Sequence, residues 1–458
     1  MFPKEIIVSL YVLFTIAPFT CSVSCASRDL YETECVQKIS TELFLNYSMP
    51  EDSLKRKAAE YLLAGFPLQW HYNTRILEET GARIKVMDAE VIDADYLAEN
   101  IEYAFRAWAL PWARNMSFED FCRYLLPYKM GNEAPERWRA AVWEEYAQLR
   151  EEALAEEGMT PSEVCRRVNA MVRQWYTIHL GYNYPADAGY LKAKEVREGS
   201  CQGASLMILY PLRALGVCAT YDYVPQWGNR SDRHSWNALY EDGRLVVFNA
   251  PESDPGKTKQ EFIGVGRMLR KRAKILRKDY PSAGSCDVTA EYVPTADLSV
   301  RGGGRKTGTP QLMVFDNANW RSVSEGSWRG RRAEFPAAAR GIAFLPAVSA
   351  DGRGRALSWP LVVERNGRIK LFRPRLWRQT VRLKAKYPED ASNAIFPGEH
   401  YELFFWNGHW DSLGAQEATD TVLVYHGVPR GALLWLRNLD KGVQERIFTY
   451  EKGRQVWY

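Results

Sequence analysis

Glu198-Gly199-Ser200-Cys201-Gln202-Gly203-Ala204-Ser205-Leu206 leads directly into an apolar run that continues to Leu215. A second stretch follows 33 residues after the cysteine, Arg233-His234-Ser235-Trp236-Asn237-Ala238-Leu239, and its continuation closes at Asn249. Good helix formers, with apolar residues at Leu206, Leu209, Leu212 and Leu215 and a stop at Gly216, predict a helix over Cys201–Leu215. Pro211 removes a ladder donor, so it kinks that helix or splits it in two. A cysteine on the first helical turn sits in the field of free N–H groups, which favours its thiolate.

The two runs His234–Leu239 and Arg244–Asn249 flank Tyr240-Glu241-Asp242-Gly243, which reads as a β-hairpin. With Leu239 set opposite Arg244, the register brings Ala238 against Leu245, Trp236 against Val247 and His234 against Asn249. His234 and Asn249 then become neighbours on one face. The Asn249 oxygen holds one ring nitrogen of His234 and leaves the other toward the Cys201 sulfur.

Those residues resemble the transglutaminase-like branch of the papain-type superfamily, specifically its exported, Bacteroidetes-type bacterial members. The run from Trp175 to Gly256 carries the resemblance, through Gly199-x-Cys201, Leu212-Arg213-Ala214-Leu215-Gly216-Val217 and His234-x-Trp236. It implies a catalytic triad of Cys201, His234 and Asn249. The family pattern has aspartate at the third station, where this chain has asparagine. Asp254, with Glu252 beside it, is therefore the alternative third member: register favours Asn249 and charge favours Asp254. An oxyanion site needs the Cys201 N–H and one side-chain donor, for which Gln226, Trp227 and Gln202 are candidates, as donors or as cleft rim. The competing reading of Trp227-Gly228-Asn229-Arg230 is a tight turn into the histidine strand. Tyr182, Tyr184 and Tyr190 are further cleft candidates.

The chain has 458 residues, 46% hydrophobic and 13% aromatic, enough for several domains with real cores. Sixty basic and 56 acidic residues leave a formal charge of +4, so no nucleic acid is implied as partner. The first residues read as an export signal, Lys4 followed by the apolar run Ile6–Ala17. Val23-Ser24-Cys25 resembles a bacterial lipoprotein box with Cys25 lipidated, and cleavage after Ala26 is the competitor. The expected location is extracytoplasmic, in the cell envelope, with the membrane reached through the lipid anchor alone. The eight cysteines show no C-x-x-C and no zinc-like spacing, so neither metal nor cofactor is expected.

The expected architecture is α+β and multidomain: a signal over 1–25, an α-helical domain over 26–160, a papain/transglutaminase-like core over 161–285, and all-β modules, as sandwiches, over 286–380 and 381–458. Helical spacing marks Ile101–Trp108 and Ala134–Arg139. Phe118–Tyr128 resembles a segment that precedes the core in the same family and covers one side of the cleft. Asp287–Val293 and Leu361–Glu364 read as strands, with a turn at Arg365–Arg368. Val314–Val323 is echoed by Leu403–Leu413 with the tryptophans Trp320 and Trp410 ninety residues apart. Trp320, Trp406 and Trp410 are buried anchors or exposed platforms, burial being favoured. The basic run Arg267–Lys274 reads as a solvated face, and Arg301–Lys306 as a flexible loop.

The reading that follows is a cysteine-dependent acyl-transfer enzyme hydrolysing a peptide or peptidoglycan-type amide. The rival is a catalytically inactive scaffold whose β-modules contact glycan or protein at the surface.

Overall fold

The computed structural model describes residues 34–179, 186–257, 270–302, 308–316, 318–350, 353–386, 395–442 and 446–458. The export signal, Cys25, Tyr182, Tyr184, Arg267–Leu269 and Gly303–Lys306 lie outside the described residues. The architecture is α+β, helical at the start and strand-rich at the end.

Helices Glu34–Asn46, Ser53–Gly65 and Ala94–Trp108 bury one core around Leu43, Leu62, Leu97 and Ile101. Asp93 opens the third of these by accepting from Tyr96 N at 2.7 Å. Residues 134–137 are not helical, since Pro135 disfavours helix at the residue before it. The next helix starts at Trp138, and helices Trp138–Glu145, Ala147–Ala155 and Pro161–Arg173 join a second core with Leu206, Leu209 and Leu212.

That second core is closed by a five-stranded antiparallel sheet. Its order is Arg244–Phe248, His234–Glu241, Ala219–Val224, Leu276–Asp279, Gly284–Asp287. Phe118–Tyr128 includes a π-helical turn, Phe121–Leu125. Its carbonyls are satisfied from afar: Arg139 Nη2 donates to Leu125 O and Leu126 O, and Arg213 Nε to Tyr124 O. The segment is thereby tied beneath the helices that follow Cys201.

The expected strand Asp287–Val293 stops at Asp287. Its carboxylate accepts from Thr289 N at 2.9 Å and starts a short helix, Thr289–Tyr292. Beyond it, a three-stranded and a six-stranded sheet enclose Leu298, Leu312, Phe335 and Phe344. A two-stranded and a five-stranded sheet enclose Val381, Leu403, Tyr425 and Phe448. Glu364 N bonds to Arg368 O at 2.9 Å around Gly367, which has φ 84°, so the turn expected there is present.

The echoed segments are both hairpins, Thr309–Asp316 with Asn319–Glu325 and His400–Trp406 with Trp410–Glu417. They pack on each other: Trp320 meets Trp406 at 5.5 Å between ring centroids, and Phe315 meets Trp410 at 5.5 Å. Trp406 is buried, and Trp320 and Trp410 are half-buried, so all three serve as anchors between the modules.

The basic run is not a solvated face where it is described. Lys274 is fully buried, paired with Asp287 and donating to Pro336 O at 2.6 Å, while Lys271 Nζ reaches Gly341 O at 2.8 Å. These side chains fasten the core to the first β-module. A buried ammonium needs such partners, since unpaired charge inside protein is costly.

Candidate active site

Ser200 caps the cysteine helix, Cys201–Met207, by accepting from Gly203 N at 3.3 Å. Cys201 is the first helical residue and is half-buried. The glycines on either side are required by packing. A Cβ at Gly199 would collide with the Tyr176 hydroxyl, and one at Gly203 would approach it to 2.8 Å.

The helix divides as Pro211 demands. Its first part ends at Met207, whose carbonyl is the one a residue at 211 would have bonded, and Leu209–Ala214 forms the second. Val217 N bonds to Leu212 O at 2.9 Å and Gly216 N to Arg213 O at 3.3 Å, with Gly216 at φ 69°, which is a Schellman stop.

The histidine hairpin is present with a different register. Asp242 and Gly243 both take positive φ, 50° and 71°, and form a two-residue turn, so Glu241 pairs Arg244, Leu239 pairs Val246 and Ala238 pairs Val247. The four-residue turn expected from the sequence gives way to a tighter one, and every pair moves by two positions. A shift of two keeps each side chain on its expected face. Asn249 lies beyond the paired strand, yet its side chain hydrogen-bonds His234.

Asn249 is further fixed on its other side. Its Nδ2 donates to Glu252 Oε2 at 2.6 Å, and its backbone N donates to Ser253 Oγ at 3.1 Å. A carboxylate accepts only, so this bond assigns the amide nitrogen to Glu252 and leaves the amide oxygen for His234. Asp254 faces elsewhere: Asn169 Nδ2 donates to it at 2.8 Å and Arg173 pairs with it, both from helix Pro161–Arg173.

His234 lies against two indoles, Trp227 at 6.1 Å and Trp236 at 6.3 Å between centroids. Burial, reinforced by the Arg270 charge, pushes its imidazole down to about 4, with Asn249 and Asp232 opposing. At neutral pH it is an uncharged ring. Trp236 Nε1 in turn donates to Tyr292 Oη at 3.1 Å, and Tyr292 donates to Asp222. Arg277 grips Asp222 from below through two bonds of 2.7 and 2.8 Å.

Along the histidine strand the side chains alternate. Trp236 joins Val224, Ile275 and Val288, while Leu239 faces the helical core. Asn237 also faces the helices: its Nδ2 donates to Ser205 O at 2.8 Å and to Thr220 O at 2.9 Å, fastening the cysteine helix to the sheet. Asn237 was not anticipated from sequence. Its only signal was a polar residue at a strand position otherwise apolar.

The three rim candidates are each engaged. Gln202 Nε2 donates to Asp187 Oδ1 at 2.6 Å. Gln226 Nε2 and Trp227 N both donate to Asp232 O, at 2.8 and 3.1 Å, which closes a turn immediately before the histidine strand. Gly228 at its tip abuts Ile342 of the first β-module, where a Cβ would approach to 2.7 Å. Tyr190 is buried, donating to Glu145 Oε2 at 2.9 Å. Among the described residues no cluster of three or more His, Cys, Asp or Glu side chains is arranged to hold a metal ion.

No family model matches the chain, and no curated protein matches it. Among solved structures it is similar to a protein of Cytophaga hutchinsonii provisionally described as a cysteine protease, at 15% identity and TM-score 0.20. That likeness covers 24% of this chain and 38% of the other. It is also similar to red sea bream transglutaminase, at 13% identity and TM-score 0.24, over 66% of this chain and 70% of the other. Overlap this loose carries no argument about chemistry, and the site stands on its own residues.

Proposed function

We propose that this chain is a cysteine-dependent acyl-transfer enzyme that hydrolyses amide bonds of a peptide or peptidoglycan-type substrate. The observation that carries the reading is the arrangement around His234: a neutral, half-buried imidazole bonded to Asn249, whose amide is oriented by Glu252, on the strand fastened to the helix that Cys201 opens.

In this mechanism the Cys201 sulfur attacks the amide carbonyl carbon while His234 takes the thiol proton. The proton passes to the departing amine as the C–N bond breaks and a thioester forms. Water then attacks the thioester, His234 accepts its proton and returns it to sulfur, and the carboxylic acid leaves. A neutral imidazole serves as base during the attack, without a preformed ion pair. The oxyanion is met by the backbone N–H of Cys201, which as the first helical residue has no carbonyl partner within the helix. Water is the default acceptor in this reading. Export to the cell envelope and lipid attachment at Cys25 belong to the same reading, on the strength of the N-terminal sequence.

The test compares iodoacetamide labelling of Cys201 with that of Cys218 and Cys286 at pH 7, in the parent chain and in His234→Ala. The reading expects Cys201 to react first and to slow at least about a hundredfold in the variant, at the low end of base assistance. Equal rates in both chains would overturn it and leave the scaffold reading, with the β-modules as the binding surface.

A further inference from the structure

The turn joining strand Ile369–Leu371 to strand Arg378–Leu383 exposes Leu376 at 95% and Trp377 at 77%, side by side. Single exposed apolar residues are ordinary, but here Leu371 (48%) and Ile369 (50%) lie on the strand leading into the same turn. Leu371 and Leu376 line one groove with Arg373, Arg375 and Arg430.

The charge around this tip is one-sided. Residues 365–386 contain nine Lys and Arg and no Asp or Glu, in a chain whose net charge is only +4. Arg373, Arg375, Arg378 and Arg430 are exposed and form no ion pair among the described residues, whereas neighbouring Lys370 is taken by Glu451. The tip is also held in shape. Arg375 N bonds to Arg430 O and Arg430 N to Trp377 O, both at 2.9 Å, and Pro374 fixes its own φ. A preformed tip pays little ordering entropy when it docks.

We propose that this turn is a membrane-docking tip: Leu376 and Trp377 enter the boundary between headgroups and acyl chains of an anionic bilayer, and the surrounding arginines meet the lipid phosphates. Tryptophan is suited to that boundary, with an apolar body and one polar N–H, and cations near an anionic surface add attraction. A sugar or acidic polysaccharide would use the indole and the arginines but has no use for a fully exposed leucine. The contact is separate from any lipid attached at Cys25, and its role is to orient the folded chain against the surface.

The experiment sediments the full chain carrying Cys25→Ser with phosphatidylcholine vesicles, with and without phosphatidylglycerol. Any background from the N-terminal apolar run is common to all variants. Partition onto the anionic vesicles is expected to exceed that onto the neutral ones at least tenfold. Arg373→Gln with Arg375→Gln should cut the anionic partition roughly 25-fold at low salt, about fivefold for each arginine. Leu376→Asp should lower partition onto both vesicle types. Thermal melting should not change in any of these variants, because the side chains pack on no core. The proposal fails if the parent shows no preference for anionic vesicles, or if the substitutions leave partition unchanged. It also fails if a sulfated polysaccharide binds through the same residues more tightly than the vesicles do.

Discussion

The rim of the histidine strand and the tryptophan seam between the β-modules are both built from large aromatic residues, but they treat polar atoms in opposite ways. At the rim the chain of contacts is closed: His234 to Asn249, Asn249 to Glu252, Trp236 to Tyr292, Tyr292 to Asp222, Asp222 to Arg277. In the seam the indole nitrogens of Trp320, Trp406, Trp410 and Trp435 are buried with no hydrogen-bond acceptor among the described residues. Their rings meet edge to face instead, Trp320 on Trp406 at 75° and Trp406 on Trp410 at 78°. Directional bonds specify one position for each group at the rim. The seam's indoles are set by shape and area, which suits adhesion between modules.

The sharpest way to break that contrast is truncation at both places. Asp222→Ala takes the buried carboxylate from Arg277 and leaves it only the exposed Glu291 at 3.1 Å, which is expected to cost about 3–5 kcal/mol. Trp435→Ala opens a cavity and is expected to cost a similar amount, about 3–5 kcal/mol. Denaturant midpoints will not separate the two, but a second substitution will. Arg277→Met should recover part of the Asp222→Ala loss by removing the stranded charge, and no polar change in the seam should rescue Trp435→Ala.

Asn237→Ala should cost about 1–3 kcal/mol, since it strands two buried carbonyls, and should also weaken Cys201 labelling by loosening the cysteine helix. A loss of stability with labelling unchanged would show that the helix is positioned by apolar packing alone.

A pH experiment sharpens the same comparison. The native imidazole of His234 is pushed down to about 4 from its ordinary 6.5, so the unfolded chain accepts a proton that the native chain refuses. Stability from this group is therefore complete above pH 6.5, falls as pH drops from 6.5 to about 4, and changes no further below that. His234→Gln should lack this part of the fall, read as the difference between urea midpoints at pH 7 and pH 4.5. Among the described residues the apolar cluster of the seam includes no histidine. The smallest expected effect is there: Trp406→Phe, which deletes an N–H that has no acceptor and keeps most of the ring, should cost under about 1.5 kcal/mol.

The hairpin shows how far local reading reaches. Alternation and the turn Tyr240-Glu241-Asp242-Gly243 were enough to announce the two strands and to sort their faces. The register they suggested, with Leu239 opposite Arg244, is two residues off, a slip that preserves every face. The turn decided it, through two adjacent residues at positive φ. Asp254 is the complementary case. Its charge made it a candidate beside His234, but helix Pro161–Arg173 supplies Arg173 and Asn169 to hold it, and nothing near residue 254 in sequence announces them. Lys274 reads as solvated in its own neighbourhood and is buried against Asp287 and Pro336. Leu376 and Trp377 are the opposite case, apolar residues that the fold leaves uncovered.

What the sequence determined by itself was therefore what a few consecutive residues can enforce. Ser200 starts the cysteine helix, Pro211 divides it, Gly216 ends it, and alternating runs make the carboxyl-terminal part all β. Each of these acts within a turn or two of chain, where the partner atoms are neighbours in sequence. The tertiary structure decided which partner each polar side chain received, from Asn249 with Glu252 and His234 to Asn237 with Ser205 and Lys274 with Pro336. Most of those partners come from distant parts of the chain. They are selected by desolvation: a polar group taken out of water must find whatever donor or acceptor packing brings within reach, and only the assembled core settles which one that is.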